Sequence, residues 1–315
     1  MVNNMPAPKV TILIPSFNQA AYIEQAIRSV LDQDYPALEV FVLDGASTDG
    51  SREVIQRYAH RLSGFVSEPD QGQSSALNKG LRLSTGDIWG WLNTDDAYLP
   101  GAISEAVRWL AEHPAVDIVY GDCSTINAAG RTLGRSASSE FDARSLLKGE
   151  CRIPTGSTFL RRSVVELIGG FDESLHYVMD IDYWFRAFPT CAIAHAPLEW
   201  SLYRLHSDAK TWDRRQSVKR AEEFTRVYER FWAGIESKNP LCHLRTASLA
   251  NMYLYNAHLA AQSDQRRQCI LNLRKALSQG FPAVKPRLLR LLSYLAFGSA
   301  ANNFLLRLRA ARDIS

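Results

Sequence analysis

The fold is decided by Ile88-Trp89-Gly90-Trp91-Leu92-Asn93-Thr94-Asp95-Asp96, an apolar run that ends in two adjacent carboxylates. A short apolar run bounded by polar residues is consistent with a buried β-strand. The two acids would then lie at the carboxyl edge of a sheet, where open α/β sheets bind their ligands. Carboxylates at that edge suit Mg²⁺ or Mn²⁺, and such an ion suits a diphosphate. Because acidic residues are also common in turns, the pair by itself leaves a purely structural role open.

Strand-like and helix-like runs alternate on both sides of this segment through the first 122 residues. Short apolar runs occupy 10–14, 38–43, 64–66, 88–92 and 117–120, and helical spacing occupies 21–31, 48–58, 73–83 and 102–111. Continuous apolar strands separated by helices predict a mostly parallel sheet that is covered on both faces. The later pattern is looser and predicts a hairpin over 123–133, strands at 157–160, 192–194 and 200–205, and helices at 164–168 and 182–188. From Arg214 onward we expect helices only, including 249–261, 266–277 and 286–312.

The composition is that of a globular protein with a buried core, since 46% of the 315 residues are hydrophobic. The five cysteines are odd in number, widely spaced and never form a C-x-x-C pair. Neither a disulfide framework nor a zinc site is therefore indicated, and we expect reduced, buried thiols in a cytoplasmic protein. Residues 1–9 lack the apolar core of a signal peptide, which agrees with that expectation.

Four segments resemble, in their order and spacing, the motifs of family 2 inverting glycosyltransferases with the GT-A fold. They are Val10-Thr11-Ile12-Leu13-Ile14-Pro15-Ser16-Phe17-Asn18, Val42-Leu43-Asp44-Gly45-Ala46-Ser47-Thr48-Asp49-Gly50, Asn93-Thr94-Asp95-Asp96 and Gly169-Gly170-Phe171-Asp172-Glu173. The resemblance covers residues 9 to about 211. It implies an α/β fold in which helices flank a Rossmann-like, nucleotide-binding mixed sheet. It also implies metal-dependent transfer of a sugar, with Mn²⁺ or Mg²⁺, from a nucleotide-sugar donor to an acceptor hydroxyl with inversion at the anomeric carbon.

The charge distribution suggests where this domain ends. The net charge is +3, but residues 240–315 carry eleven basic and two acidic side chains, whereas residues 1–239 carry 25 basic and 31 acidic ones. We therefore predict a GT-A domain over 1–239, with a nucleotide-sugar-binding half at 1–122 and an acceptor or catalytic half at 123–213. An all-helical basic extension over 240–315 follows. Such an extension can contact an anionic membrane or an acidic partner, or it can simply pack on the catalytic body.

Polar residues after the first two strands are expected to bind the nucleotide part of a UDP-sugar. Asp44 ends the second strand, so its carboxylate should share a sheet edge with Asp95 and accept from the base or ribose. Asp44 could instead cap the Ser47-Thr48 turn. The family often has a second acid next to this position, where the present chain has Gly45.

The first strand closes with Pro15, Phe17 and Asn18, which are expected to complete the nucleotide site. The family places an aromatic ring near the base at the position of Phe17, although core packing is the alternative for this side chain. Residues 67–72 and 78–80 resemble a family segment that lies beside the nucleotide, and Asp70 is expected there as a second acid that contacts the base. Lys79 is a candidate phosphate ligand, or else a partner of its own helix dipole.

The metal is assigned to Asp95, Asp96 and His206. The family motif is commonly Asp-x-Asp, and here Asn93 takes the first position. Neighbouring side chains of an extended chain point in opposite directions, so one acid should face the ribose or a metal-bound water and the other the metal. We assign direct ligation to Asp96. A histidine at the position of His206 can approach the metal or diphosphate in similar family members, with a structural role as the alternative.

Two further basic residues and a loop are candidates for assisting the leaving group. The loop over 207–212 is expected to fold over the bound donor. Arg204 or Lys210 could then stabilise the departing diphosphate.

A base for the acceptor hydroxyl is expected after the Gly-Gly-Phe-Asp turn. Family members carry an acidic pair there, ahead of a helix; here Met179 takes the first place and Asp180 the second. Asp180 is therefore the candidate catalytic base, with helix capping as its alternative role. Asp182 lies two residues further on and cannot share a helix face with Asp180, so we expect it to cap or brace the helix. Residues 155–157 are candidates for lining the acceptor pocket.

Other enzyme classes fit less well. A dinucleotide oxidoreductase needs a glycine-rich turn after the first strand, and Pro15-Ser16-Phe17-Asn18-Gln19-Ala20 contains no glycine. No P-loop sequence is present, and the longest uncharged stretch of the tail falls short of a membrane span. We expect a saccharide or lipid-linked acceptor, no nucleic acid partner, and a role in surface polysaccharide or glycolipid synthesis at the inner face of the membrane. A catalytically silent relative that binds nucleotide sugars or partners stays open.

Overall fold

The computed structural model describes residues 6–207, 209–210, 213–280 and 286–297. Its contacts divide the chain into two compact units. The first contains residues 1–142 and 151–206, and the second contains residues 143–150 and 207–315. This division differs from the boundary that the charge distribution predicts at residue 239.

The first unit is built on one mixed sheet. Its strands are β1 (Val10–Ser16), β2 (Leu38–Asp44), β3 (Gly64–Ser67), β4 (Ile88–Trp91), β5 (Ala97–Tyr98), β6 (Ile118–Asn127), β7 (Thr132–Ser136), β8 (Thr158–Arg161) and β9 (Ile193–Leu205). Within the described part of the chain these nine strands have the order β3-β2-β1-β4-β8-β6-β9-β5, with β7 paired to β6. The neighbours from β3 to β4 are parallel, as are β6 and β9, whereas β8 is antiparallel to β4 and β6. The mixed sheet that the family resemblance implies is therefore confirmed.

Helices cover both faces of this sheet. The helices of the described chain are α1 (Ile23–Leu31), α2 (Ser51–Tyr58), α3 (Gln73–Leu83), α4 (Ala102–Glu112), α5 (Ala143–Leu147), α6 (Arg162–Ile168), α7 (Met179–Ala187), α8 (Ser217–Gly234), α9 (Arg245–Gln262), α10 (Arg266–Ser278) and α11 (Pro286–Phe297). Apolar residues at helical spacing in α1, α2 and α4 form one buried cluster with alternate residues of β1 and β2. On the other face, α3 approaches closely at Gly80, where a Cβ would lie 2.7 Å from Leu13 and 3.1 Å from Leu43.

The carboxyl ends of the parallel strands meet at one edge. In the register of β1, β2 and β3, Ser16 lies opposite Asp44, and Asp44 lies opposite Ser67. The backbone N–H of Leu92, just after β4, donates to the carbonyl of Leu13 in β1. The loops that carry Asp44 and Asp95 therefore leave the sheet at the same edge, as the strand pattern predicts.

The largest departure from the predicted elements is β9. Two separate strands, 192–194 and 200–205, were expected, but one strand runs from Ile193 to Leu205. Its pairing with β6 shifts register around Asp122, where Tyr120 pairs with His195 and Asp122 pairs with Glu199. Pro197 lies in the extra residues of this irregularity, where a missing N–H is tolerated, so the proline does not end the strand.

The second unit is helical, and α9 is its centre. It packs against α8, α10 and α11. Trp232 of α8 donates from its indole to Ser248 of α9, and Asn256 of α9 donates to the Ala221 carbonyl of α8. The predicted boundary at 239 therefore lies within the unit, because the helix before it packs on the helix after it. Of the predicted 286–312 helix, residues 286–297 are described and form α11, and the remainder lies outside the described residues.

Among the helices of the described chain, none is both long and apolar enough to cross a membrane.

Candidate functional site

An exposed aromatic ring, a glycine and a carboxylate converge after β1, β2 and β3. The Phe17 side chain is 62% exposed, which excludes the core-packing alternative. A Cβ added to Gly45 would lie 3.2 Å from the Phe17 ring and 3.1 Å and 3.2 Å from the two carboxylate oxygens of Asp70. The side chain that is absent at Gly45 therefore leaves a slot between the ring and the acid. Such a slot offers a flat apolar surface and a hydrogen-bond acceptor to a planar ligand.

Asp44 and Asn18 connect the loops that form the walls of this slot. The carboxylate of Asp44 is buried and accepts from the backbone and hydroxyl of Ser47 and from the hydroxyl of Ser67. Asn18 accepts from the backbone N–H of Thr48, and its own N–H donates to Ser47. The turn-capping role that the sequence allows for Asp44 is therefore present. Pro15 is buried inside β1, behind these loops.

Lys79 is engaged elsewhere. Its ammonium lies 2.6 Å from the carboxylate of Glu68, and its side chain is 20% exposed. An ion pair of this kind competes with any phosphate for the same charge.

The two adjacent acids after β4 lie in and just after a turn, closed by the bond from the Asp96 N–H to the Asn93 carbonyl, and differ in exposure and partners. Asp96 is 4% exposed, and its Oδ1 accepts from the backbone N–H of Arg204 at 3.0 Å. Burial and the negative charge of Asp95 raise the pKa of Asp96 well above its usual value, in spite of hydrogen bonds from Arg204 and Asn93. The carboxylate of Asp95 is 23% exposed, and its Oδ2 lies 3.1 Å from Nε2 of His206.

Arg204 is the structural centre of this region. Its buried guanidinium donates to the carbonyls of Asp95, Asn127 and Ala128 and to the side chain of Gln25. It also lies 5.0 Å above the ring of Tyr22. The sequence suggested Arg204 as a helper of the leaving group, but these contacts occupy it in holding the loop that carries Asp95. Of the other candidates, Lys210 lies in the second unit, and residues 208, 211 and 212 of the predicted covering loop lie outside the described residues.

Asp180 lies at the start of α7, and a cluster of aromatic rings packs this helix against β4. We define this aromatic cluster as the contacting rings of Trp89, Trp91, Phe171, Tyr183 and Trp184. The ring of Trp91 stacks on Trp184 at 5.8 Å, and Phe171 of the Gly-Gly-Phe-Asp turn lies 5.3 Å from Trp91. The turn and the helix that follows are therefore packed against the end of β4.

A second set of contacts places Asp180 at the same edge as the acids of the β4 loop. The hydroxyl of Ser74 lies 3.1 Å from the Met179 sulfur, and the neighbouring Gln73 donates to Asn93 at 2.7 Å. Asp180 is half-buried in the first turn of α7. The start of α3 therefore connects the Asp180 region directly to the segment Asn93–Asp96.

Asp182 has the bracing role that its position predicts. It is buried and pairs with Arg186 at 2.9 Å. The Arg186 guanidinium also donates to the carbonyls of Ile168 and Gly170, so this pair holds the glycine-rich turn against the helix.

Asp122 is a buried acid that no motif of the sequence indicates. This residue is 2% exposed, lies 2.9 Å from His195 and 2.6 Å from Arg135, and accepts from the backbone N–H of Ser138. Burial by itself would raise the pKa of Asp122, but the hydrogen bonds from Ser138, His195 and Arg135 outweigh burial and lower it. Its partners come from β7, β9 and the loop after β7, so no local pattern could have revealed them.

The chemistry of the β4 loop fits a divalent cation. Nδ1 of His206 is buried and has no hydrogen-bond partner among the described residues, and its ring lies beside the partly exposed Asp95. Within the described ranges, no three His, Cys, Asp or Glu side chains are grouped to hold a metal ion by themselves. Mg²⁺ and Mn²⁺ commonly take only one or two protein ligands and complete their shell with phosphate oxygens and water.

Several known proteins are similar to this chain. A model described as glycosyl transferase family 2 matches residues 11–169. An uncharacterised glycosyltransferase of Rickettsia prowazekii is 30% identical over 246 residues, covering 76% of this chain and 74% of that protein. A PGL/p-HBAD biosynthesis glycosyltransferase of Mycobacterium bovis is 29% identical over 193 residues, covering 60% of this chain and 73% of that protein.

Two solved structures share the fold. Residues 1–349 of S. aureus TarS, in complex with UDP-GlcNAc, match with a TM-score of 0.57 at 15% identity, covering 86% of this chain and 90% of that one. The mannosyltransferase PcManGT of Pyrobaculum calidifontis, in complex with GDP-Man and Mn²⁺, matches with a TM-score of 0.60 at 22% identity, covering 95% of this chain and 84% of that one. The expected GT-A fold is confirmed by these neighbours.

Asp122 should make stability depend on pH. Because its pKa is lowered in the folded protein, the ionised form adds stability at neutral pH. This contribution begins to fall near the usual pKa of about 4 and is lost as the pH falls through the lowered pKa of the folded protein. Asp122→Asn should therefore lower the free energy of unfolding by about 1–3 kcal/mol at pH 7, and by progressively less toward pH 3. Urea unfolding of both proteins at several pH values measures the difference. The exposed Asp34→Asn is the matched control, and a wild-type advantage that stays constant with pH would contradict the assignment.

Proposed function

This chain belongs to glycosyl transferase family 2, and we propose that it is a metal-dependent, inverting hexosyltransferase that uses a nucleotide sugar. The donor proposed first is a UDP-sugar. The observation that carries the proposal is the convergence of three features at one sheet edge. They are the slot of Phe17 and Asp70, the pair of Asp95 and His206, and the acid Asp180.

The slot suits the nucleobase. The exposed ring of Phe17 can stack on a planar base, and the carboxylate of Asp70 can accept from a base N–H. The backbone N–H of Gly72 donates to Oδ1 of Asp70 at 2.8 Å, which holds the carboxylate in place. Asp44 supports the slot from behind, since its oxygens already accept from Ser47 and Ser67.

Asp95 and His206 would hold the divalent metal. We assign Asp96 to support of the loop, in place of the direct ligation expected from the sequence, because its carboxylate is buried against the backbone of Arg204. When bound, Mn²⁺ or Mg²⁺ neutralises charge on the departing diphosphate. Arg204 keeps Asp95 and its loop fixed while this charge develops.

Asp180 is the proposed base. It takes the proton of the acceptor hydroxyl while that oxygen forms a bond to the anomeric carbon. The bond from this carbon to the diphosphate oxygen breaks, and its electron pair leaves with the diphosphate. Attack on the side opposite the leaving group inverts the configuration, and general base catalysis of this kind typically contributes about 10²–10⁴-fold.

The acceptor and the cellular site are proposed from the chain's charge and its relatives. We propose a saccharide or lipid-linked acceptor in surface polysaccharide or glycolipid synthesis, at the cytoplasmic face of the membrane. A relative named for PGL/p-HBAD biosynthesis supports this class. Helix α10 contains no acidic residue, and its outward side exposes Arg267, Arg274, Leu271 and Leu277. Basic and apolar side chains on one exposed side suit an anionic membrane surface.

The proposed chemistry is tested by release of nucleoside diphosphate from a panel of UDP-sugars and GDP-sugars, with Mn²⁺ or Mg²⁺ and candidate acceptors. At least one donor should be turned over, and EDTA should stop the reaction. Asp180→Asn should lower kcat by about 10²–10⁴-fold and leave the Kd of the nucleotide unchanged. The exposed acid Glu166→Gln is the matched control. Absence of metal-dependent release from every donor would favour the catalytically silent alternative.

The metal assignment is tested by binding of Mn²⁺, measured by electron paramagnetic resonance in the presence of the nucleoside diphosphate. Asp95→Asn and His206→Gln should each weaken Mn²⁺ binding at least about tenfold. Asp96→Asn should weaken it less, because the amide oxygen can still accept from Arg204. Loss of Mn²⁺ binding in Asp96→Asn with retention in Asp95→Asn would reverse the assignment.

The membrane proposal is tested with the full chain and lipid vesicles. The protein should co-sediment with vesicles that contain phosphatidylglycerol and not with pure phosphatidylcholine. A double variant, Arg267→Gln with Arg274→Gln, should lower the affinity about 10–30-fold, because each basic group near an anionic surface contributes about 1 kcal/mol. Lys238→Gln with Arg245→Gln removes the same charge from exposed positions outside α10. Equal loss in both double variants would exclude a specific role for α10.

A further inference from the structure

Arg152 is an exposed arginine with no role in the proposed transfer reaction. Its guanidinium lies 5.0 Å over the ring of Tyr203, and it donates to the Ser136 hydroxyl at 3.3 Å. Among the described residues, no carboxylate lies within ion-pair distance of it, whereas the nearby Arg135 pairs with Asp122 and Glu199. The structure therefore holds a charged, planar group in place by ring stacking and leaves its charge unneutralised.

Arg152 also lies near the edge where the candidate reaction occurs. Tyr203 directly precedes Arg204, whose N–H binds Asp96. The 3₁₀ turn Thr155–Ser157 follows Arg152, and a Cβ on its Gly156 would lie 3.5 Å from Leu92, the residue just before Asn93. Arg152 donates to Ser136 of β7, Ser136 pairs with Cys123 of β6, and Cys123 pairs with Ser201 of β9, two residues before Tyr203.

The strand order separates Arg152 from the donor. Phe17 and Asp70 follow β1 and β3, on one side of the central strand β4 in the order β3-β2-β1-β4-β8-β6-β9. Tyr203 lies in β9, on the other side of β4. A ligand group at Arg152 therefore lies on the opposite side of the reacting centre from the nucleobase. The acceptor must enter from that side, because the donor occupies the other.

We propose that Arg152, held on the ring of Tyr203, binds an anionic group of the acceptor and so positions the attacking hydroxyl. The group is a phosphate, diphosphate or carboxylate, because a guanidinium presents paired N–H donors that match these anions in a bidentate way. Stacking on Tyr203 restricts the side chain in advance and reduces the entropy lost on binding. This proposal rests on the proposed function, since it assigns the acceptor class of the same site.

The test is titration of the full-length, ¹⁵N-labelled protein with anionic and neutral sugars. The probes are glucose 6-phosphate, methyl β-glucuronide, the neutral methyl β-glucoside and inorganic phosphate. The arginine Nε–Hε signal that disappears in Arg152→Lys should shift with the two anionic sugars and not with the neutral one. In Arg152→Gln, the Kd of the anionic sugars should rise at least about tenfold, which is the effect of losing a charged hydrogen bond.

Controls separate a specific site from general charge effects. Arg108→Gln removes an exposed arginine from α4 and should leave the Kd unchanged. Arg152→Lys should retain part of the affinity, because it keeps the charge without the planar fork. Equal shifts with the neutral sugar, an unchanged Kd in Arg152→Gln, or inorganic phosphate that binds as tightly as the sugar phosphate would each overturn the proposal.

Donor hydrolysis by the wild-type protein distinguishes failure of this proposal from failure of the proposed function. Hydrolysis needs no sugar acceptor, so its presence without anion binding at Arg152 would overturn the acceptor proposal alone. Absence of metal-dependent nucleotide release both with and without acceptors, with anion binding intact, would overturn the proposed transfer reaction and leave an anion site without that role.

Discussion

The arrangement of the β4 loop depends on the buried guanidinium of Arg204. Three backbone carbonyls, of Asp95, Asn127 and Ala128, are satisfied by this one side chain. The guanidinium thereby connects Asp95 in the β4 loop to Asn127 and Ala128 at the end of β6. The backbone N–H of Arg204 binds Asp96 at the same time. One residue thus contacts both the backbone of the loop and the buried carboxylate of Asp96, while the neighbouring Asp95 in the turn stays partly exposed.

The position of the candidate site could be predicted from the sequence, because it depends on where parallel strands end. Each apolar run that precedes Asn18, Asp44 or Asp95 is short and bounded by polar residues, so the strand ends are visible without a structure. The parallel order then brings those ends to one edge. The nearness of Asp180 follows less directly, since it requires the aromatic cluster that packs α7 on β4. The aromatic residues of that cluster are apparent in the sequence, but their mutual contacts are not.

The supporting contacts could not be predicted, because they join residues far apart in the chain. Arg204 binds Asp96 across 108 positions, and Asp122 binds His195 across 73. Contacts of this kind leave no periodicity, unlike the bond between Asp44 and Ser47, which is a local turn and was recognised as an alternative. The continuous β9 was missed for a related reason. Pro197 predicts a break by its local chemistry, and only the irregular pairing with β6 shows why the strand continues.

The start of α7 shows how the chain departs from the motif it resembles and still keeps one acid in place. Met179 stands where family members carry a second acid, and its buried side chain contacts Ser74 of α3. This contact contributes packing at a position where a carboxylate would have needed a charged or polar partner. Asp182, the other acid of the first turn, is already paired with Arg186. Asp180 is thus the acid of this first turn that stays partly exposed.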